Sequence, residues 1–179
     1  MKIFSSYAGI ASECLSAVVA IGNFDGLHHG HHTLLRKARE IAVKEGKKIA
    51  VLTFEPHPKN LFRPDEPPAR LTPRDVKAWR LQEELVDILY YLPFDWAFAS
   101  RSAEDFIKNV LVEGLRVSHI VVGSDFRFGQ LRKGEAKHIE AAGIPVTVVD
   151  DVTDTEGNAY SSSRIRQALQ QGRIADANT

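Results

Sequence analysis

The sequence predicts a doubly wound α/β domain, with a Rossmann-like parallel sheet covered by helices on both faces. Short runs of β-branched and other apolar residues alternate with amphipathic helical patterns, which is typical of a parallel sheet with right-handed crossovers. Glycine stands where two of the helical patterns end, at Gly46 and Gly172. The composition, with 44% hydrophobic and 26% charged residues, is that of an ordinary globular protein.

The first half of the chain alternates strands with helices. The predicted strands are 17–22, 47–56 and 88–94. After the first strand, a helix ending at Gly46 places on one face the apolar residues Leu34, Leu35, Ala38, Ile41 and Ala42. After the second strand, the pattern 71–89 predicts a helix with Thr72 as its N-cap and Pro73 in its first position. This order predicts two crossovers in succession.

The second half continues the alternation. A helix over 102–115 is predicted to be capped by Ser102, and a shorter helix follows at 134–143. The strands are 118–123 and 144–150. A last helix, 161–172, begins with three serines. At 179 residues the chain is of single-domain size, and we expect one domain over 1–179.

Charge and cysteine content exclude several classes of protein. The 23 Lys and Arg residues balance the 23 Asp and Glu residues, so non-specific binding to nucleic acid is not expected. Cys14 is the single cysteine, which leaves no internal disulfide. With no secretory pattern and no apolar run near the ~20 residues of a membrane span, we expect a cytoplasmic protein without membrane contact.

Three stretches follow predicted strands directly and are therefore candidate binding loops, namely 22–32, 54–73 and 123–134. In doubly wound folds, ligands bind beyond the carboxyl ends of the strands, where the strand order reverses. The second stretch contains six of the eight prolines and is far longer than the usual ~2–6 residue connection. It reads as a binding loop.

The first stretch carries four of the seven histidines, at 28, 29, 31 and 32. Zinc is disfavoured because neighbouring histidines point in different directions and Cys14 is distant. Phosphate is favoured, since a turn followed by a helix N-terminus offers free N–H groups. His28 and His31 share a helical face, Gly30 leaves room for a phosphate, and the helix dipole favours neutral imidazoles. His29 and His32 are interpreted as solvated residues.

No Walker A pattern and no G-x-G-x-x-G occurs, which disfavours P-loop kinases and dinucleotide-dependent dehydrogenases. The segment GNFDGLHHGH resembles the G-x-F-D-x-x-H-x-G-H signature of the HxGH nucleotidyltransferase superfamily. The segment SSSRIR is similar to the second signature, S-S-T-x-x-R, with Ser163 where threonine is usual.

More narrowly, the chain resembles the bacterial FAD synthetases, the bifunctional riboflavin kinase/FMN adenylyltransferases. Five segments match in order: FDGLHHGHHTLL, TFEPHPKNLF, LTPRD, GSDFRFGQLRKG and SSSRIR. The resemblance extends from about residue 17 to 175 and includes nothing of a riboflavin kinase domain. It implies an adenylyltransferase half, joined in the native gene to a kinase domain or naturally short.

The resemblance implies that ATP and FMN give FAD and pyrophosphate. The FMN phosphate would attack the α-phosphate of ATP without a general base, because a phosphate monoester with a second pKa of ~6 is already ionised. His28, His31 and Arg166 are the candidate catalytic residues, acting on phosphate charge. The implied ATP-binding residues are Gly22, Asn23, Phe24, Asp25, Gly26, His28, Gly30, His31, Ser161, Ser162, Ser163 and Arg166.

Asp25 could either contact ATP or serve as a carboxylate that caps a turn, and the sequence leaves both interpretations open. Magnesium is expected with ATP, bound largely by phosphates and water, and no side chain is assigned as a metal ligand.

The implied FMN-binding residues are Pro56, Pro58, Phe62, Asp125, Phe126, Arg127 and Phe128. In an extended chain Phe126 and Phe128 face one way, which suits the apolar walls that a flavin ring needs. Trp79 and Trp96 are interpreted as packing residues.

Two alternatives remain open. One is a nucleotidyltransferase for another phosphate acceptor, such as phosphopantetheine or nicotinate mononucleotide. The other is a non-catalytic module that binds flavin or nucleotide.

Overall fold

The computed structural model describes residues 1–65 and 70–178, and its centre is a parallel sheet of six strands. The strands are β1 (Lys2–Phe4), β2 (Val18–Ile21), β3 (Ile49–Glu55), β4 (Ile88–Pro93), β5 (His119–Gly123) and β6 (Val146–Val149). Their order across the sheet is β1-β4-β3-β2-β5-β6, and every neighbouring pair is parallel. The doubly wound α/β class predicted from the alternation is confirmed.

Helices connect the strands. They are α1 (His29–Glu45), α2 (Pro58–Phe62), α3 (Arg74–Glu83), α4 (Trp96–Ala99), α5 (Ala103–Asp105), α6 (Ala136–Ala141), α7 (Ser162–Gln170) and α8 (Ile174–Ala177). After α5 the chain continues as a π-helix over Phe106–Gly114, where Leu115 N–H donates to the Val110 carbonyl five residues back. Ser102 caps this helical segment as predicted, accepting from Asp105 N–H.

Alternate residues of each strand face opposite sides of the sheet, so two apolar cores form. On one side Val19, Leu52 and Ile120 pack with the π-helix. On the other side, Ala20 and Val51 pack against α1 and α3. Because both faces of the inner strands β2 to β5 are largely buried, these strands are mostly continuous apolar runs, whereas the edge strands β1 and β6 are more exposed.

One predicted cap is wrong. The N-cap of α3 is Pro73, which makes no side-chain cap, and the helix begins at Arg74. The hydroxyl of Thr72 instead accepts a hydrogen bond from Gly26 N–H at 2.9 Å. A distant partner has therefore taken the oxygen that the local pattern assigned to the helix end.

The strand order reverses at β2, which has β3 on one side and β5 on the other. The stretches that follow these three strands begin at the same edge of the sheet, as predicted for the candidate binding loops. Within the described ranges, no helix is long and apolar enough to span a membrane.

Candidate active site

Two clefts open at the carboxyl edge of the sheet and share one wall. The polar cleft, of about 490 Å³, is lined by His28, His31, Asp125, Ser161, Ser162, Ser163 and Arg166 among others. The aromatic cleft, of about 780 Å³, is lined by Phe54, Phe62, Phe94, Trp96, Phe98, Phe106, Phe126 and Phe128 among others. Their shared wall contains Gly22, Asn23, His57, Lys59, Phe126, Arg127 and Arg132. A ligand in one cleft therefore meets a ligand in the other at the end of β2.

The turn that follows β2 is strained and is held by buried polar groups. Phe24 and Leu27 have positive φ angles of 47° and 40°, which side-chain-bearing residues rarely adopt. The Asn23 carbonyl accepts hydrogen bonds from the Thr53 hydroxyl at 3.1 Å and from Lys77 Nζ at 2.8 Å. Both donors are buried, and Lys77 is only 2% exposed. These contacts fix the backbone from which the histidines project.

His28 and His31 lie face against face at the start of α1. Their ring centroids are 3.8 Å apart, so the predicted shared face is confirmed. A Cβ atom on Gly30 would approach the His28 ring to 3.1 Å, so this glycine makes room for the histidine as well as for any phosphate. The Phe24 ring, fully buried, packs on His31 with centroids 5.0 Å apart.

Both imidazoles are held in the neutral form. Burial, with a smaller contribution from the neighbouring His32 and His29, lowers the pKa of His28 to about 4. Burial also lowers the pKa of His31 well below its usual value. The predicted neutrality agrees with these directions, although desolvation rather than the helix dipole is the main cause. A neutral imidazole keeps one N–H to donate to a phosphate oxygen.

The other two histidines of the turn lie outside both clefts. His29 is exposed, with its ring edge on Tyr160 at 4.8 Å between centroids. His32 is 43% exposed and pairs with Glu84 at 3.0 Å. The interpretation of both as solvated residues is confirmed.

Arg166 and the serines are brought to the polar cleft by α7. The Ser161 side chain caps the helix by accepting from Arg164 N–H at 3.2 Å. The Ser162 hydroxyl donates to the Asp25 carbonyl at 2.7 Å, which anchors the helix end to the strained turn. The first turn of α7 thus presents backbone N–H groups and a guanidinium to the cleft, an arrangement suited to anions.

Two of the predicted ATP-binding residues lie behind the cleft. The Asp25 carboxylate is fully buried, pairs with Arg166 at 2.5 Å and accepts from the backbone N–H groups of Leu71 and Thr72. Gly26 lines neither cleft, and a Cβ there would come within 2.9 Å of the Leu71 side chain. Both residues therefore support the site from behind the cleft, and the ATP-binding role implied for them stays a prediction.

The aromatic cleft contains most of the residues predicted for the flavin. Phe126 and Phe128 stack with centroids 5.4 Å apart, which confirms that they face one way. Phe62 is 55% exposed and meets Trp96, 64% exposed, edge to face at 5.8 Å. Trp96 was predicted to be a packing residue, and the structure corrects this: it forms part of the cleft wall. Its helix α4 has four residues, too few for a periodic signal.

Two of the predicted flavin residues lie elsewhere. Asp125 lines the polar cleft, because the chain turns after β5 and carries this carboxylate away from the rings. Pro56, which follows a cis peptide bond with Glu55, lines neither cleft. The remaining predicted residues Pro58 and Arg127 do line the aromatic cleft.

Sequence reasoning missed three residues of the shared wall, namely His57, Lys59 and Arg132. His57 caps α2, its Nδ1 accepting from Lys59 N–H at 3.1 Å, and burial lowers its pKa to about 4. His57 and Lys59 each line both the polar cleft and the aromatic cleft. The signal was present in the sequence, since His57 stands between two prolines at the end of a strand. No group of three or more His, Cys, Asp or Glu side chains that could hold a metal ion occurs within 1–65 and 70–178.

The fold is a doubly wound α/β domain in which a polar cleft suited to phosphate lies beside an aromatic cleft. The family model for FAD synthetase matches residues 11–164, and the chain belongs to this family.

Three proteins illustrate what this chain is similar to in sequence and in structure. The bifunctional riboflavin kinase/FMN adenylyltransferase of Escherichia coli K12 is 40% identical over 167 residues, covering 90% of this chain and 53% of that protein. The chain thus spans about half the length of the curated relatives it matches. A crystal structure described as a macrolide-efflux protein from Streptococcus pneumoniae superposes with a TM-score of 0.84 at 32% identity, covering 98% of this chain and 59% of that one. Pantoate-β-alanine ligase from Francisella tularensis, at 14% identity and a TM-score of 0.62, shares the fold over 98% of this chain and 77% of that one.

Proposed function

We propose that the chain transfers the adenylyl group of ATP to FMN, which gives FAD and pyrophosphate. The observation that carries this proposal is the shared wall between a polar cleft and an aromatic cleft. A dinucleotide of adenosine and flavin needs one phosphate-binding site and one apolar slot that meet at the reacting phosphates. The name FMN adenylyltransferase, which belongs to the relatives, agrees with this arrangement.

The FMN phosphate is the nucleophile. It would enter from the aromatic cleft at Asn23 and His57, and one of its oxygens would form a bond to the α-phosphorus while the bond from α-phosphorus to the bridging oxygen breaks. That phosphate is ionised at neutral pH, so no side chain has to remove a proton. The work of the protein is then alignment and the neutralisation of charge.

Neutral donors and fixed positive charge are available for that neutralisation. His28 and His31 would donate to the α-phosphate and the departing oxygen. Arg166 and the first turn of α7 would hold the β- and γ-phosphates. Lys59 lines both clefts and would lie between the two ligands. None of these roles requires a side chain to form a covalent bond to the adenylyl group.

Magnesium would accompany ATP. The phosphates and water would supply most of its ligands, because no group of three or more metal-ligating side chains occurs within 1–65 and 70–178. The bound ion would neutralise charge on the departing pyrophosphate.

The test is FAD formation by the purified chain from FMN, ATP and magnesium, followed by chromatography of the flavins. We expect FAD and an equal amount of pyrophosphate, and no FMN when riboflavin replaces FMN. Binding of both ligands without turnover would indicate a non-catalytic module. Turnover with another phosphorylated acceptor but not with FMN would indicate a different adenylyltransferase.

A further inference from the structure

The carboxylate of Asp25 joins two segments that belong to different clefts. On one side it accepts hydrogen bonds from the backbone N–H groups of Leu71 at 3.1 Å and Thr72 at 2.9 Å. On the other side it accepts from Arg166 Nη2 at 2.5 Å. It is fully buried, so both contacts act in an environment with little solvent screening.

Two further hydrogen bonds, each between a side-chain hydroxyl and the backbone, connect the turn to the segment 71–72 and to α7. Gly26 N–H donates to the Thr72 hydroxyl at 2.9 Å, so residues 25 and 26 both hold the segment 71–72. The Ser162 hydroxyl donates to the Asp25 carbonyl at 2.7 Å, so α7 is held at its first residue as well as at Arg166. The turn is therefore a bridge with two attachments on each side.

The segment 70–72 continues to the wall of the aromatic cleft. Arg70 forms an ion pair with Glu55 at the end of β3. The Glu55 carbonyl accepts from Phe94 N–H at 3.2 Å, and the Phe94 ring meets Phe62 with centroids 5.9 Å apart. Both rings line the aromatic cleft. A continuous set of polar contacts thus runs from Arg166 to the aromatic wall.

Occupation of either cleft should order the same bridge. A polyphosphate on Arg166 fixes the guanidinium and, through Asp25, the segment 70–72. A flavin against the aromatic wall fixes the same segment from the other end. When the first ligand has already ordered a shared element, the second loses less conformational entropy on binding.

We propose that Asp25 is a positioning residue that couples the two clefts, so that ATP raises the affinity for FMN and FMN raises the affinity for ATP by the same factor. This inference rests on the proposed function, because it needs both ligands to bind. Equality of the two factors is required by thermodynamic linkage.

The experiment measures FMN affinity by calorimetry with and without saturating α,β-methylene-ATP, which binds but cannot transfer its adenylyl group. For the unaltered chain we expect FMN to bind about fivefold or more tightly in the presence of the analogue, the lower end of typical coupling. Asp25→Asn keeps the shape of the side chain but removes its charge, and should reduce this factor below about twofold. Thr72→Val, which leaves the ion pair to Arg166 intact, should also reduce the factor, and it tests the bridge if Asp25→Asn does not fold.

Asp154→Asn is the matched control. Its carboxylate accepts from two backbone N–H groups, those of Glu156 and Asn158, and pairs with Arg164 of α7 at 2.7 Å. These are the same kinds of partner that Asp25 has, but they include no residue of the segment 70–72. We expect the full coupling factor in this variant, which separates the bridge from a general loosening of α7.

Three results would overturn the inference. The first is an unaltered chain that binds each ligand alone but shows no coupling, which leaves the proposed function standing. The second is full coupling in both Asp25→Asn and Thr72→Val. The third is an equal loss of coupling in Asp154→Asn. Failure of either ligand to bind alone overturns the proposed function itself, and it is seen before any coupling is measured.

Discussion

The polar cleft and the aromatic cleft are built in different ways. The polar cleft depends on buried charged groups, with Asp25 0% and Lys77 2% exposed, that connect segments distant in the sequence. The aromatic cleft is formed by rings in edge and tilted contact, and its rim residues Phe62 and Trp96 are more than half exposed. Charge neutralisation requires donors fixed in place, whereas a flat apolar ligand needs mainly contact area. We therefore expect substitutions in the polar cleft to reduce turnover or ATP affinity, and substitutions in the aromatic cleft to weaken FMN binding.

The largest effects should come from the histidine pair. His28→Ala and His31→Ala should each lower kcat by about 10²-fold or more, because each removes a donor to transition-state charge. The affinity for FMN should change little. His29→Ala and His32→Ala are the controls on the same turn and should stay within about threefold of the unaltered chain. Equal losses in all four variants, measured by steady-state kinetics, would contradict the assignment.

Arg166 should control ATP affinity rather than flavin affinity. Arg166→Ala should weaken ATP by about 1.5–3 kcal/mol, the value of a hydrogen bond to a charged partner. Calorimetry with α,β-methylene-ATP measures this directly. Arg164→Ala is the control on the same helix: Arg164 pairs with Asp154, which lies before α7, so its loss should leave ATP affinity unchanged. Lost FMN binding with unchanged ATP affinity would place Arg166 in the other cleft.

Substitutions in the aromatic wall should have smaller effects. Trp96→Ala should weaken FMN by about 0.5–1.5 kcal/mol, the range for one aromatic contact, and leave ATP affinity unchanged. Trp79→Ala is the control, since Trp79 is 54% exposed and lines neither cleft. A loss of FMN affinity as large in Trp79→Ala as in Trp96→Ala would remove Trp96 from the flavin wall. Flavin fluorescence titration measures both affinities.

The buried histidines also predict how stability depends on pH. The folded-state pKa of His28 is about 4, below the ~6.5 of an unfolded chain, so the unfolded state binds more protons between these values. The contribution of His28 is therefore present above pH ~6.5 and is lost as the pH falls toward 4. Denaturant unfolding between pH 7 and 4.5 should show a falling free energy of unfolding.

His28→Asn should make that fall shallower, and His29→Asn, an exposed histidine of the same turn, should leave it unchanged. An identical pH dependence for His28→Asn and the unaltered chain would show that His28 is not buried in its neutral form.

The sequence was a good guide where the signal is local. The strand–helix alternation predicted the sheet, and the histidine and serine signatures pointed to His28, His31, Ser162 and Arg166, which line the polar cleft. Short elements gave no such signal: the three residues of β1 and the four residues of α4 are too few to show a period. Trp96 was misread for that reason.

The supporting residues could not be predicted because their partners are far apart in the chain. Lys77 contacts a carbonyl 54 residues away, and Asp25 contacts Arg166 across 141 residues. The sequence predicts Thr72 as a cap because the local pattern is favourable, but tertiary contact with Gly26 determines its role. Local patterns therefore predicted residues that line the clefts, and only the assembled fold shows which residues support them from behind.

The proposed reaction is a single direct displacement at the α-phosphorus, with the two histidines as donors. The alternative mechanism has two steps, in which one of the two closely spaced neutral imidazoles first accepts the adenylyl group and then passes it to FMN. The decisive measurement is the stereochemical course with ATP made chiral at the α-phosphorus by sulfur substitution, read out in the FAD analogue that forms. One displacement inverts that phosphorus, and inversion is the predicted result. Retention of configuration would mean two displacements through a histidine-bound intermediate, and would contradict the account.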